Sequence, residues 1–312
     1  MLHDKAPSFF RRTGEAERHD LFGRLHAELA AGPGGGELFD AVPVETGAST
    51  LLTRLDGRGR AAARPDRPAV LLSSTSWTPD EDFSILLDAL VAVNAAAEAE
   101  PTRFPPFLVL VTGKGPLKAH YERRIAALRL PHVAVRTLWL EAADYPRIVG
   151  CADLGVSLHV STSGLDLPMK VVDMFGAGAP VCAVGFPCLG ELVRHGDTGL
   201  VFGSAAELAE QVLGLFDGWP GKSGAGRRGA GRGGGTDARD MEALTAEEAD
   251  FAVGASNCTR EQRAEATRAA AADATRHGST LLQLLAAGVA RAREEDWAVN
   301  WTRDARPAFL RV

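Results

Sequence analysis

The chain has 312 residues, 46 % of them hydrophobic, and a formal net charge of −6 at pH 7. This length and apolar content can build one large domain or two small ones, and the acidic balance disfavours a nucleic-acid-binding surface. No run of about 18 apolar residues is present, and the first residues lack the apolar core of a signal peptide. We therefore expect a globular chain without a transmembrane helix.

Residues 1–67 are weakly patterned, and we expect an inter-domain linker that carries one short helix. Apolar residues recur at helical spacing between Phe9 and Leu29. A Gly/Pro-rich stretch at 32–36 and a polar Arg/Ala/Pro-rich stretch at 58–68 follow, and both compositions are typical of loops.

Residues 68–217 alternate short apolar runs with amphipathic stretches, which predicts parallel β/α units. The predicted strands lie at residues 70–72, 107–112, 133–138, 154–158, 181–184 and 200–202. The predicted helices lie at residues 82–97, 117–128, 142–149, 169–175, 189–194 and 205–216. Strand and helix alternating at such short spacing indicate an α/β fold with a doubly wound, Rossmann-like parallel sheet.

Polar turns follow four of these strands. They span residues 73–76, 113–115, 138–141 and 161–164. Because the carboxyl ends of parallel strands meet at one edge of the sheet, all four turns are expected to lie together there. Ligands of doubly wound folds bind at this edge, which we therefore take as the predicted site.

The stretch between the fourth and fifth predicted strands carries the strongest functional signal. A polar turn with Ser163 and Gly164 precedes Asp166, and a short apolar helix with Lys170 and Asp173 follows. A turn leading into a helix presents free backbone amides and the positive end of the helix dipole to an anion such as a diphosphate. The lysine adds positive charge, and the two carboxylates can accept hydrogen bonds from sugar hydroxyls. The alternative is an ordinary helix of an α/β domain.

The rest of the chain changes character. Residues 218–280 begin with a Gly/Arg-rich, low-complexity stretch that cannot build a core, and we expect a low-complexity or disordered insertion. The Ala/Glu/Arg-rich remainder could be helical but has few large apolar residues. Its arginines could contact RNA or anionic lipid, but a solvated insertion is the favoured interpretation. Residues 281–312 are predicted to form a C-terminal helix and tail.

The four cysteines predict reduced thiols. They are Cys151, Cys182, Cys188 and Cys258. No two form a Cys-x-x-Cys pair, and the spacing does not fit a structural zinc site. Unpaired cysteines in or beside apolar elements are typical of proteins that face the cytosol.

Four motifs together resemble the family of β-1,4-mannosyltransferases that add the first mannose to dolichol-linked chitobiose. They are SSTSWTPDEDFS at 73–84, TGKGPL at 112–117, WLEAADYP at 139–146 and SGLDLPMKVVDMFG at 163–176. They cover residues 70–217 in order, and residues 5–25 resemble the family's inter-domain segment. The wider GT-B class has an acid-x7-acid pattern at the last motif, whereas here Leu165 takes the first acidic position and Asp166 follows it.

The resemblance implies two Rossmann-like domains with the active site between them, of which this chain carries the donor-binding half. It implies GDP-mannose as donor, inverting transfer to dolichol-diphosphate-linked chitobiose, and a place at the cytosolic face of the endoplasmic reticulum membrane. The acceptor half, the membrane anchor and the general base are expected outside this chain. No cofactor, metal or nucleic acid is expected, and other dolichol-pathway transferases are possible partners.

The sequence leaves two other functions to compare with this one. The alternative is a truncated, non-catalytic chain that binds a GDP-sugar or the full-length transferase. A Rossmann dehydrogenase is disfavoured because no Gly-x-Gly-x-x-Gly follows the first predicted strand.

Within the resemblance, the diphosphate is assigned to cations and to a helix end. The loop after the first strand, which includes Ser74 and Thr75 as donor-binding candidates, contains no Lys or Arg. The charge is therefore assigned to Lys114 and Lys170, together with backbone amides near Leu167. The alternative for each lysine is a solvated surface position.

The remaining candidates are assigned to the sugar, the ribose and the base. Asp173 is expected to bind the ribose hydroxyls and Asp166 the mannose hydroxyls, unless they serve as a helix-surface acid and an N-cap. His159 could donate to phosphate or sugar, or it could be a packed core histidine. Trp139, with its two leucine neighbours, is expected to frame the guanine.

Asp80-x-Asp82 matches the Asp-x-Asp metal site of another glycosyltransferase class. It follows Pro79 at a predicted helix start, where acidic side chains complement the helix dipole. We therefore favour helix capping over metal binding for these two residues.

Overall fold

The computed structural model describes residues 4–32, 36–42, 44–161, 166–219, 259–276 and 280–293. The strands are β1 (Thr53–Leu55), β2 (Ala61–Ala63), β3 (Ala69–Ser74), β4 (Phe107–Thr112), β5 (Val133–Leu138), β6 (Leu154–Ser157), β7 (Val181–Val184) and β8 (Gly199–Phe202). The α-helices are α1 (Glu15–Ala31), α2 (Gly36–Ala41), α3 (Phe83–Ala99), α4 (Lys118–Ala127), α5 (Tyr145–Cys151), α6 (Met169–Gly176), α7 (Ala205–Phe216), α8 (Arg260–Arg276) and α9 (Leu281–Arg293).

Six strands form one parallel sheet in the order β5-β4-β3-β6-β7-β8, and β1 and β2 form a separate antiparallel hairpin. The strand order reverses between β3 and β6. In doubly wound sheets, ligands bind in the crevice outside the carboxyl ends of the strands at this switch point. The predicted α/β class and doubly wound sheet are confirmed.

The strands of the sheet are buried on both faces, as expected for a sheet covered by helices. Alternate side chains point to opposite layers: Leu71 and Val109 join a cluster with α3, α4 and α7. Val70 and Leu108 join a second cluster with α1, α5 and α6. The near-continuous apolar runs of the strands therefore follow from burial on both sides.

The N-terminal residues form more structure than the expected linker. α1 is 17 residues long and buries Leu21, Phe22, Leu25 and Leu29. These side chains share the second cluster with β3 and β4, so the helix is part of the layer that covers this face of the sheet. Arg136 of β5 donates to the carbonyl of Leu29 near the C-terminus of α1, where helix carbonyls lack helical partners.

Within the C-terminal part of the expected insertion, where the composition allowed a helix, residues 260–276 form α8. A buried ion pair anchors this helix, with Arg263 Nε 2.8 Å from Glu207 Oε1 of α7. A second contact joins Thr267 Oγ1 to His195 Nε2 at 2.9 Å. Because polar contacts hold α8, the apolar periodicity of the sequence carried little sign of it. The low-complexity arginines and residues 294–312 lie outside the described residues.

Two observations bear on the other expectations. Cys151 and Cys182 are buried free thiols and Cys188 is a partly exposed one, while Cys258 lies outside the described residues. Among the helices that the structure describes, none is both long and apolar enough to cross a bilayer.

Candidate functional site

One side of the switch point is formed by the loop after β3, which is packed tightly against the loop after β4. The amide of Thr75 donates to the carbonyl of Thr112 at 2.9 Å. A Cβ atom on Gly113 would lie 1.8 Å from the carbonyl oxygen of Thr75, and one on Gly115 would lie 1.8 Å from that of Ser76. Gly113 also has a φ of +131°, a backbone conformation that residues with a Cβ atom rarely adopt. Glycine is therefore required at both positions for this close approach.

Glu81 holds the same loop from inside the protein. Its carboxylate is buried and accepts hydrogen bonds from Thr75 Oγ1 at 2.5 Å and from the Ser76 amide at 2.7 Å. It also forms an ion pair with Lys170 Nζ from the first turn of α6. Glu81 was not among the predicted site residues, because it lies between two aspartates at a predicted helix start and its own contacts are tertiary.

Lys170 therefore lies at the switch point as expected, with a carboxylate partner that the sequence did not indicate. Its side chain is 27 % exposed and that of Glu81 only 3 %, so the ammonium group stands between a buried acid and solvent. The role of Lys170 in diphosphate binding stays a prediction.

A chain of hydroxyl groups leads from β3 to the carboxylate of Asp173. Thr112 Oγ1 donates to Ser74 Oγ at 2.9 Å, Ser74 Oγ lies 3.3 Å from the Tyr145 hydroxyl, and that hydroxyl donates to Asp173 Oδ2 at 3.4 Å. Burial raises the pKa of Asp173 to about 6, and the bond from Tyr145 opposes that shift. Tyr145 belongs to the motif at 139–146, but it was not among the predicted site residues.

Ser74 and Thr75 are both buried, and their hydroxyls bond to other residues of the protein. Thr75 Oγ1 donates to Glu81 and also accepts from the amide of Trp77 at 2.9 Å. The structure gives both side chains a supporting position behind the crevice. Direct contact of either one with a donor remains an untested prediction.

The other side of the switch point is the segment after β6. His159 Nε2 lies 3.0 Å from Asp166 Oδ2, and Ser161 Oγ donates to the other carboxylate oxygen of Asp166. The Asp166 side chain is 54 % exposed and that of His159 is 22 % exposed. The two predicted sugar-binding residues are thus brought together, and each is a hydrogen-bonding partner of the other.

Lys114 and Trp139 meet at the ends of β4 and β5. Lys114 Nζ lies 4.6 Å from the centroid of the Trp139 ring, a cation–π contact, and Trp139 is 60 % exposed. In the sheet, β4, which precedes Lys114, is two positions from β6, and β5, which precedes Trp139, is three positions from it. The neighbouring Leu138 is buried, so of these two residues only Trp139 has a side chain exposed at this edge of the sheet. The role of Lys114 in diphosphate binding stays a prediction.

The helix end proposed for anion binding is partly outside the described residues, because Ser163 and Gly164 lie in the gap at 162–165. α6 begins after Leu167 and Pro168, and Pro168, at the N-cap position, makes no side-chain capping bond. The Pro168 side chain therefore does not occupy the backbone amides of the first turn of α6, to which anion binding was assigned.

The two aspartates of the Asp-x-Asp sequence have different surroundings. Asp82 is the N-cap of α3, and its carboxylate accepts from the Ser84 amide at 2.9 Å, so the capping interpretation is confirmed for this residue. A hydrogen bond from the Thr78 side chain lowers the pKa of Asp80. Within the described ranges, no three His, Cys, Asp or Glu side chains cluster so as to hold a metal ion.

Comparison with known proteins identifies the class of this domain. Residues 67–217 match the family described as glycosyl transferases group 1, so this stretch is a group 1 glycosyltransferase domain. The chain is 48 % identical over 223 residues to the chitobiosyldiphosphodolichol beta-mannosyltransferase of Mus musculus. The aligned region covers 72 % of this chain and 45 % of that protein. The resemblance that the four motifs indicated is confirmed.

Two further proteins extend the comparison. UDP-glycosyltransferase TURAN of Arabidopsis thaliana is 46 % identical over 236 residues, 71 % of this chain and 50 % of that protein. The crystal structure of Anabaena Alr3699/HepE in complex with UDP-glucose aligns with a TM-score of 0.43 and 18 % identity, over 68 % of this chain and 46 % of that one. The chain spans about half the length of the curated relatives it matches.

Proposed function

We propose that this chain supplies the GDP-mannose-binding half of an inverting β-1,4-mannosyltransferase that acts on dolichol-diphosphate-linked chitobiose. The observation that carries the proposal is the group of charged and polar side chains at the switch point of the sheet. There, Lys170, Asp173 and His159 are placed around the carboxyl ends of β3 and β6. The similarity to the mouse enzyme gives this crevice its expected chemistry.

In the proposed complex, the diphosphate lies at the N-terminus of α6. The backbone amides near Leu167 and the ammonium group of Lys170 supply positive charge to it. Asp173 accepts hydrogen bonds from the ribose hydroxyls, because its carboxylate, held by Tyr145, is ionised at neutral pH.

The sugar and the base occupy opposite ends of the same edge. Asp166 and His159 face the mannose hydroxyls or the β-phosphate from the segment after β6. Trp139, with its exposed ring, frames the guanine at the end of β5, and Lys114 lies over the other side of that ring.

The proposed reaction forms one bond and breaks one at the anomeric carbon. An acceptor hydroxyl attacks that carbon from the face opposite the nucleotide, and the bond to the diphosphate oxygen breaks as GDP leaves. Cationic groups that stabilise charge on the departing diphosphate lower the barrier. We propose that the base that takes the proton of the acceptor hydroxyl belongs to the second half of the enzyme, and that no metal is needed.

Isothermal titration calorimetry tests the donor. The chain is titrated with GDP-mannose, GDP, UDP-glucose and NAD, since the Arabidopsis relative is named a UDP-glycosyltransferase. We expect the two guanosine ligands to bind most tightly, with unchanged affinity in excess chelator. Tighter binding of UDP-glucose or NAD would reject the donor assignment, and binding that requires Mg²⁺ or Mn²⁺ would revive the metal role of Asp80.

A non-catalytic GDP-sugar-binding chain is the second candidate, because the match spans about half the length of the relatives. Transfer of radiolabelled mannose to chitobiosyl-diphospholipid separates the two. We expect residues 1–312 alone to bind donor without transfer. Turnover that appears when an acceptor half from a matching transferase is added supports the enzyme, and turnover by the chain alone would mean that it contains an acceptor site.

A further inference from the structure

We propose that Glu81 is a positioning residue for donor binding. It holds the ammonium group of Lys170 at the mouth of the switch-point crevice and ties it to the loop after β3. The inference rests on the proposed function, in which Lys170 binds the donor diphosphate.

The two carboxylate oxygens of Glu81 serve different elements. Oε2 accepts from Thr75 Oγ1 at 2.5 Å and from the Ser76 amide at 2.7 Å, both in the loop after β3. Oε1 pairs with Lys170 Nζ of α6. One side chain therefore links the strand on one side of the switch point to the helix that follows the strand on the other side.

Burial makes this link strong. Glu81 is 4 % exposed, and removing the partner of a buried charge is costly because the charge has lost its contact with water. Lys170 is its cationic partner, and an ammonium group has three donors. Since 27 % of the Lys170 side chain is exposed to solvent, its ammonium group can pair with Glu81 and still donate to an anion in the crevice.

The loop that is hydrogen-bonded to Glu81 is itself held by packing and hydrogen bonds. Thr75 Oγ1 accepts from the amide of Trp77, and the buried Trp77 ring packs 4.7 Å from Phe83 and 5.8 Å from Tyr121. Trp77 has a φ of 52°, a conformation that a bulky residue adopts only when its surroundings impose it. Glu81 thus anchors Lys170 to the packed interior, which fixes where its charge lies.

A competing effect has to be separated from positioning. The negative charge of Glu81 repels a diphosphate, so replacing Glu81 alone can weaken or strengthen binding. In a double-mutant cycle the direct repulsion between Glu81 and the ligand cancels, because it is present with and without Lys170. A coupling that remains reports that Lys170 binds the ligand better when Glu81 holds it.

The experiment measures GDP affinity by calorimetry for the wild type, Lys170→Met, Glu81→Gln and the double variant. We expect Lys170→Met to weaken binding about 30-fold in the wild-type background, as for the loss of a charged hydrogen bond. In the Glu81→Gln background the same change should cost only about 3-fold, because the coupling between residues in one network is on the order of tenfold. Equal losses in the two backgrounds, or a larger loss in the Glu81→Gln background, would overturn the proposal.

Two controls keep the cycle interpretable. Arg103→Met removes an exposed cation at the amino edge of the sheet and should leave GDP affinity unchanged. Lys170→Met leaves Glu81 buried without its cation, so Lys170→Gln, which can still donate to the carboxylate, replaces it in the cycle if the first variant does not fold. A wild-type chain that binds no GDP would reject the proposed function itself, whereas GDP binding without coupling would reject only the role of Glu81.

Discussion

The loop after β3 and the segment after β6 flank the switch point of the sheet, where we call them the β3 wall and the β6 wall, and they are built differently. In the β3 wall, Thr75 and Glu81 are buried, and Gly113 of the neighbouring loop lies close to the backbone carbonyl of Thr75. In the β6 wall, His159 and Asp166 bond to each other and stay partly exposed, and Asp166 also accepts a hydrogen bond from the buried Ser161. One wall uses its polar groups within the protein, while the other keeps them at the surface.

This difference separates support from contact with ligand. A polar group that is satisfied inside the protein contributes stability and position, whereas one that is exposed is available to a ligand. Changes in the β3 wall should therefore lower stability, and changes in the β6 wall should alter binding at nearly constant stability.

The largest effect is expected from Gly113→Ala, in the loop after β4 that packs against the β3 wall. The added Cβ would meet the Thr75 carbonyl oxygen at 1.8 Å, at a φ of +131°. We expect the free energy of unfolding to fall by about 3 kcal/mol or more, from backbone strain and steric clash. Urea unfolding measures it, with Gly190→Ala as the control because no heavy atom lies within 4 Å of a Cβ there. Similar losses in the two variants would remove the distinction.

Thr75→Val should have the next largest effect. The change removes the hydroxyl that donates to Glu81 and accepts from the Trp77 amide, and it leaves both groups short of a buried partner. We expect a loss of about 1–3 kcal/mol in the free energy of unfolding. Thr75→Ser, which keeps the hydroxyl, should lose clearly less. Equal losses for Val and Ser would show that the methyl group, and not the hydroxyl, matters.

The half-buried Asp173 should make stability depend on pH. Its pKa is raised to about 6 by burial, so the native state binds a proton more readily than the unfolded chain. The resulting stability is present below about pH 4 and is lost as the pH rises through 6. Allowing for partial exposure, we expect the free energy of unfolding to fall by about 1–2 kcal/mol relative to Asp173→Asn between pH 4 and 7. Parallel pH curves in urea unfolding would contradict the shift.

The smallest change in stability is expected for Asp166→Asn in the β6 wall. Because this side chain is 54 % exposed, the free energy of unfolding should change by no more than about 0.5 kcal/mol. Affinity for GDP-mannose should fall by about 1 kcal/mol, the cost of one hydrogen bond, while affinity for GDP stays the same. Calorimetry with both ligands checks it. An equal loss for GDP and GDP-mannose would place Asp166 near the diphosphate instead of the sugar.

The sheet and its edge were predictable from the sequence alone, for a physical reason. Strands buried on both faces must be apolar throughout, so β4, β5 and β7 have the predicted bounds. The turns at their carboxyl ends must be polar or glycine-rich, so the edge carrying Lys170 and Asp173 could be located from composition and spacing.

Only the tertiary structure decided which polar groups face solvent and which face each other. The pairing of Glu81 with Lys170 joins residues 89 positions apart, and that of His159 with Asp166 joins residues seven positions apart outside any helix. The helix α8 is anchored by Arg263 and Glu207, an ion pair that leaves little apolar periodicity. Hydrophobic pattern encodes which surfaces are buried, whereas the partner of a buried charge depends on the positions of chain segments far apart in sequence.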